Sequence, residues 1–207
     1  MTSRTISKIQ EKILIVGPIY DQIEKLDKIE EILPDYEFVI FNGNLCYPFE
    51  DIDKLRQRIS KMNDYLLTNK VIYNCGGYDL KLFKILSDNG ERADIQRWII
   101  NNPNVIIAQF DNASTVIIVG GGIPQNTVTQ KALNDNVEVS FVSYCGDEPW
   151  HNYYLGRLGY IISNNPLTTD VPKFYPYSAQ IGNKYGTNIN VYAQEVDRYG
   201  LKQTISL

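Results

Sequence analysis

Apolar positions in the first half of the chain follow two alternating patterns. Residues 12–16 (KILIV) form a short continuous apolar run closed by Gly17-Pro18, which predicts a buried strand ending at a turn. From Asp21 to about Leu33 the spacing becomes helical, with Ile23, Leu26, Ile29 and Leu33 on one stripe and Asp21 and Glu24 placed as a capping-box-like start. The alternation repeats: a strand over 36–41 ending in Asn42-Gly43-Asn44, a helix over about 49–67, and a strand over 70–73 running into Cys75-Gly76-Gly77. A third helix over 79–86 breaks near Asn89-Gly90, and 95–100 forms a short fourth. Strands alternating with helices across short glycine-bearing turns predict a parallel sheet.

The second half changes character. Strands at 105–110 and 115–119 flank Asp111-Asn112-Ala113-Ser114, a hairpin-like connection, and Gly120-Gly121-Gly122 leads into a polar helical stretch around 126–133. Strand-like segments then recur at 137–142, 159–162, 179–181, 189–193 and 201–206, with few helices between. The order βαβαβα followed mostly by β predicts an α/β fold of two packed mixed β-sheets flanked by helices, with one large mixed sheet as the alternative. No repeat, low-complexity tract or linker divides the chain, so residues 1–207 are expected to form a single domain.

Charge narrows the function classes. Twenty Lys and Arg against 24 Asp and Glu give a net charge of −4, which disfavours a nucleic-acid surface. The densest basic stretch, Lys54, Arg56, Arg58 and Lys61, shares its predicted helix with Glu50, Asp51 and Asp53 and reads as a solvated face. No apolar run is long enough to span a membrane, and no apolar segment precedes Ile13 as a secretory signal would require. Cys46, Cys75 and Cys145 form no CxxC pair and read as reduced thiols. A soluble cytoplasmic protein is the expectation. Abundant Asn, Ile and Tyr, a bias met in AT-rich genomes such as those of many phages, adds a phage-encoded or virion-associated setting to it.

In an open α/β fold, ligands meet the loops at the carboxyl ends of the strands. Five such loops are predicted to line one rim: VGPIYD, NGNLCYP, CGGYDL, VGGGIP and ISNNPL. Their order resembles the calcineurin-like metallophosphoesterase superfamily, in the branch of the protein-serine/threonine phosphatases and dinucleoside-tetraphosphatases. That family carries GDxHG, GDxxDRG, GNHD or GNHE, VHGG and GHTP in the same succession. The resemblance covers about residues 12–207 and is carried by order, spacing and glycines.

The resemblance implies a dinuclear metal site, and the residues at its places differ from the family's ligands. The first ligand aspartate falls on Pro18, the first histidine on Tyr20, the bridging aspartate on Asn44 and the ligand asparagine on Gly77. The acid-catalyst histidine falls on Tyr78, and the two later histidines fall on Gly120 and Asn164. Only Asp79, at the place of the residue that orients the catalytic histidine, keeps its type. Two divalent cations about 3.5 Å apart repel by roughly 5 kcal/mol even at the permittivity of water. The family offsets this with shared carboxylates; a neutral Asn44 cannot. No metal or other cofactor is therefore expected, and the catalytic reaction is expected to be lost.

Other chemistries find little support. The single histidine, His151, excludes three-histidine zinc sites and HExxH within one chain. Cys46, Cys75 and His151 show no recognisable ligand spacing, and the two cysteines read better as small residues packed under turns. Cys145 and His151 lack an orienting third group. The arginine that a cysteine phosphatase needs six positions after its nucleophile is replaced by Ile52, Lys81 or His151. Gly120-Gly121-Gly122 is no P-loop, because Ile123-Pro124 follows it. Asp79 is expected to N-cap the following helix.

Three functions follow, in order of expectation. The first is an inactive phosphoesterase-shaped scaffold that binds a protein partner or assembles with itself; the aromatic-rich C-terminal third, with Trp150, Tyr153 and Tyr154, suits such a surface. The second is a phosphate- or nucleotide-binding module without hydrolysis. The third is an active metal-dependent phosphoesterase whose carboxylates come from Asp111, Asp147 and Glu148.

Overall fold

In the computed structural model, the described residues are 3–17, 19–20, 22, 24–46, 51–90, 92–103, 105–112, 115–119, 139–144, 160–163, 174–175 and 192–207. Eleven strands among them form two mixed sheets. The five-stranded sheet contains β2 (Ile13–Val16), β3 (Phe38–Asn42), β4 (Val71–Asn74), β10 (Tyr192–Asp197) and β11 (Gly200–Ser206), in the order β11-β10-β2-β3-β4. Strands β2, β3 and β4 run parallel, and β10 and β11 are antiparallel additions at the β2 edge. The six-stranded sheet contains β1 (Ser3–Ile9), β5 (Val105–Phe110), β6 (Thr115–Val119), β7 (Val139–Tyr144), β8 (Tyr160–Ser163) and β9 (Phe174–Tyr175), in chain order. Its pairs are parallel except for the β5–β6 hairpin, which the sequence places correctly.

Strand alternation splits the core in two. Ile13, Ile15, Ile40, Ile72 and Val196 face the other sheet, where Ile6, Ile9, Ile106, Ala108, Phe110, Val116 and Ile118 meet them. Leu14, Val16, Val39, Phe41, Val71 and Tyr73 point the other way, into a layer with the helices α1 (Lys25–Ile32), α2 (Ile52–Leu66), α3 (Gly77–Asn89) and α4 (Ala93–Asn101). Strands buried on both faces read as unbroken apolar runs, which is why ILIV and FVIF are legible.

Several elements differ from expectation. Helix α1 begins at Lys25 rather than Asp21, behind turns closed by Gln22 N–H to Ile19 O and Lys25 N–H to Gln22 O; its N-cap is Glu24, without a side-chain cap bond. Helix α2 starts three residues later than the expected 49, where the Asp51 carboxylate accepts from the Asp53 and Lys54 N–H groups. Within α2, Arg58 belongs to the buried stripe with Leu55, Ile59 and Met62 and not to a solvated face. Strand β10 lies over Tyr192–Asp197, C-terminal to the expected 189–193. The helical stretch around 126–133 and the strand at 179–181 fall outside the described residues. No helix among the described residues is long and apolar enough to cross a membrane.

The parallel strands β2, β3 and β4 of one sheet and the strands β6 to β9 of the other run toward the same end. At one end, Asn74 Nδ2, on the last residue of β4, approaches Ile118 O near the end of β6 at 3.5 Å. At the other end, Arg198 in the β10–β11 turn pairs with Asp111 beyond β5 at 3.0 Å. Asp111 thus sits opposite the rim, which removes it from the carboxylates able to serve a rim site.

Candidate functional site at the strand ends

The loops leaving β2, β3 and β4 are drawn together as predicted. Tyr20 N–H donates to Asn44 O at 3.2 Å, and Tyr78 N–H donates to Asn44 Oδ1 at 3.0 Å. The Tyr20 and Tyr78 rings meet edge to face with centroids 6.1 Å apart. Asn44 therefore binds the loop on either side of it, through its backbone carbonyl and its side-chain carbonyl. Pro18, Gly120 and Asn164 lie outside the described residues, as do Cys145, Asp147, Glu148 and His151.

Asp79 is the centre of this arrangement. It occupies the third position of α3 and is fully buried. Its Oδ2 accepts from Gly76 N–H at 2.7 Å, Asn44 N–H at 3.0 Å and Tyr73 O–H at 2.6 Å, while Oδ1 accepts from Cys46 N–H at 2.9 Å. The expected N-cap role is corrected by these bonds. Gly76 is the N-cap, and since glycine has no side chain, only the return half of a capping box forms, from Asp79 back to the Gly76 N–H. The same carboxylate holds the β3 loop, which no N-cap would do.

Tyr73 extends the network, because its hydroxyl also accepts from Leu45 N–H at 2.9 Å. Its ring packs on Trp98 of α4 with centroids 4.9 Å apart. Sequence reasoning passes over Tyr73; the available signal is a phenol in a strand otherwise buried on both faces, where a hydroxyl needs a partner.

Glycine is required at two contacts. Gly43 has φ +81°, and a Cβ there would lie 2.5 Å from both Cα and N of Gly76. A Cβ on Gly76 would fall 2.2 Å from Asn44 Oδ1 and 2.6 Å from Asn44 N. The backbones of the second and third loops thus touch. Asn44 at φ 60° uses the left-handed region that asparagine tolerates, whereas Tyr20 at φ 49° is a bulky residue held there against preference.

Electrostatically this is a low-dielectric site. Burial raises the Asp79 pKa, opposed by the bonds from Tyr73, Gly76, Cys46 and Asn44. All four contacts are donors, an arrangement suited to the anion. Burial, and then Asp79 itself, push Cys46, Cys75 and Tyr73 well above their usual values, so both thiols are protonated and poor nucleophiles. Cys75 Sγ makes its contact with Ile99 O at 3.2 Å. Both cysteines are packed beneath turns, as the sequence suggests. Among the described residues, no group of three or more His, Cys, Asp and Glu side chains is arranged to hold a metal ion.

No protein-family model matches the sequence, and no curated protein matches it significantly. Solved structures do resemble the fold. One provisionally assigned as a diadenosine tetraphosphatase aligns over 99% of this chain and 96% of its own, with a TM-score of 0.54 at 13% identity. The protein TT1561 of Thermus thermophilus aligns over 74% of this chain and 81% of its own, with a TM-score of 0.45 at 15% identity. A protein serine/threonine phosphatase from Saccharomyces cerevisiae with similarity to human phosphatase PP5 covers 78% of this chain and 64% of its own, at 0.45 and 13%. The α/β architecture of two mixed sheets with flanking helices is metallophosphoesterase-like.

Proposed function

We propose that this chain is a metallophosphoesterase-shaped protein that has lost phosphoester hydrolysis and serves as a binding or structural scaffold for a protein partner or a second copy of itself. The observation that carries the reading is the fate of Asn44. At the place of the bridging aspartate, its amide oxygen is occupied by the Tyr78 N–H and its backbone by Tyr20 and Asp79. A dinuclear metal centre does not fit the described residues: Asn44 is neutral and engaged, Gly77 has no side chain, and Asp79 is buried among four donors. The scaffold takes no cofactor. Its phage or virion setting rests on composition alone.

The same bonds leave less room for an anion at the N-termini of α2 and α3, while Gly120-Gly121-Gly122 lies outside the described residues. An anion at a helix N-terminus needs free N–H groups. At α3, the Gly76 and Tyr78 N–H groups are held by Asp79 and Asn44, and at α2 the Asp53 and Lys54 N–H groups are held by Asp51.

The test is metal content per chain by mass spectrometry, after expression with added manganese and zinc and dialysis, alongside hydrolysis of p-nitrophenyl phosphate and diadenosine tetraphosphate. No stoichiometric metal and no metal-dependent turnover are expected. One or two metals per chain with manganese-stimulated turnover would overturn the reading.

A further inference from the structure

We infer that a buried water molecule is bound between the two sheets beneath the rim, donating a hydrogen bond to Asn74 Oδ1. Asn42 and Asn74 are the paired last residues of β3 and β4, and both are fully buried. Counting along each strand from Ile40 and Ile72, they lie on the face turned toward the other sheet. Asn74 Nδ2 donates to Asn42 Oδ1 at 3.0 Å and approaches Ile118 O at 3.5 Å. Among the described residues, Asn74 Oδ1 has no hydrogen-bond partner.

Turning the amide over does not help. With Asn42 as placed, it would set the Asn74 oxygen against Asn42 Oδ1 and Ile118 O, exchanging one unmatched acceptor for two acceptor–acceptor contacts. A buried amide oxygen without a donor is costly enough that native interiors supply one from protein or from water. The ladder pairs Val16 with Phe41; carried one step further, it sets Gly17 beside Asn42. This end of the inter-sheet layer therefore carries a residue without a side chain next to two amides. Water supplies a donor without any chain segment entering a layer in which Asn74 is wholly enclosed. A cation is a poorer fit, because hard cations take six or more oxygens and this position offers one open acceptor.

The inference is independent of the proposed loss of hydrolysis. Its test is a high-resolution crystal structure of the full chain, with the count of long-lived internal waters measured in solution by oxygen-17 magnetic relaxation dispersion. Expected are a density peak at hydrogen-bonding distance from Asn74 Oδ1 and the loss of one long-lived water in Asn74→Leu. If Asn74→Leu does not fold, the wild-type density decides alone. An Asn74 oxygen that accepts from a protein group, or no density beside it, overturns the assignment.

Discussion

Replacing Asp79 by asparagine tests the hydrogen bonds its carboxyl accepts, because the side chain keeps its shape. The amide oxygen can take the place of Oδ2 and keep the bonds from Asn44, Gly76 and Tyr73. The amide nitrogen then occupies the place of Oδ1 and confronts the Cys46 N–H, donor against donor. One charge-assisted bond is lost, worth about 1.5–3 kcal/mol, and three others fall to neutral strength, roughly half. Relief from burying a charge returns part of this. The net expectation is a loss of about 2–4 kcal/mol, a large share of the roughly 5–15 kcal/mol that holds a typical domain folded. Urea unfolding followed by tryptophan fluorescence measures it; with a slope of about 2 kcal/mol/M the midpoint should fall by roughly 1–2 M. The pH dependence supplies a second check. Burial raises the folded-state pKa above the ordinary 3.8, so the carboxyl's contribution is full below that value and declines as pH rises through the folded one. The deficit of Asp79→Asn should widen as pH falls. A midpoint shift under about 0.25 M with an unchanged slope would refute the claim that the Asp79 carboxyl clamps these loops.

Gly76→Ala leaves backbone dihedrals unstrained but drives a methyl against Asn44 N and Oδ1, so a loss of about 1–3 kcal/mol is expected in the same assay; a change within about 0.5 kcal/mol would mean the loops are not in contact. Asn44→Asp restores the residue type at the bridging place, yet its oxygen still accepts from Tyr78 N–H and it faces Asp79 nearby. No manganese is expected to remain bound after dialysis, and stoichiometric metal would show that only this one change separates the loops from a working centre. Glu195 is held below its ordinary 4.5: burial, the largest single influence, raises it, but bonds from Gln203, Lys12 and Tyr36 together prevail. Its stabilising contribution is present above 4.5 and lost as pH falls through the folded value, so Glu195→Gln should flatten the acid limb of a stability–pH curve; an unaltered limb contradicts the assignment.

Where burial on both faces or plain helical periodicity sets the pattern, sequence and structure agree within a few residues. Failures have physical causes. Strand β1 escapes a reading by pattern because its apolar residues, Ile6 and Ile9, are three apart. Alternation would turn them to opposite faces, but an irregularity in the ladder between them, with Lys8 at φ 64°, brings both into the inter-sheet core. Strand β10 is displaced from its expected place because it buries Gln194 and Glu195, polar residues that no apolar run includes. Glu195 is accommodated by Gln203 at 3.1 Å across its own hairpin and by Lys12 at 3.0 Å and Tyr36 at 2.9 Å, two partners far away in sequence that no local window contains.

The rim divides along the same line. That the first three loops converge is legible from their glycines and their position after strands. What Asp79 does is not, because most of its bonds run to backbone N–H groups, which carry no residue identity. A carboxylate aligned with an orienting residue looks like a relic when its histidine partner is a tyrosine. The structure gives it a present use: it joins the β3 loop, the strand residue Tyr73 and the start of α3, while Asn44 ties Tyr20 and Tyr78 across them. Removing metal ligands from such a rim would ordinarily leave loops without the charges that organised them. Here four donors on one buried carboxyl and two glycines in backbone contact do that organising, so the rim's shape is maintained by groups that require no metal. A buried Asp79 alongside a neutral residue at position 44 therefore suits a rim of fixed shape, as the proposed scaffold role requires.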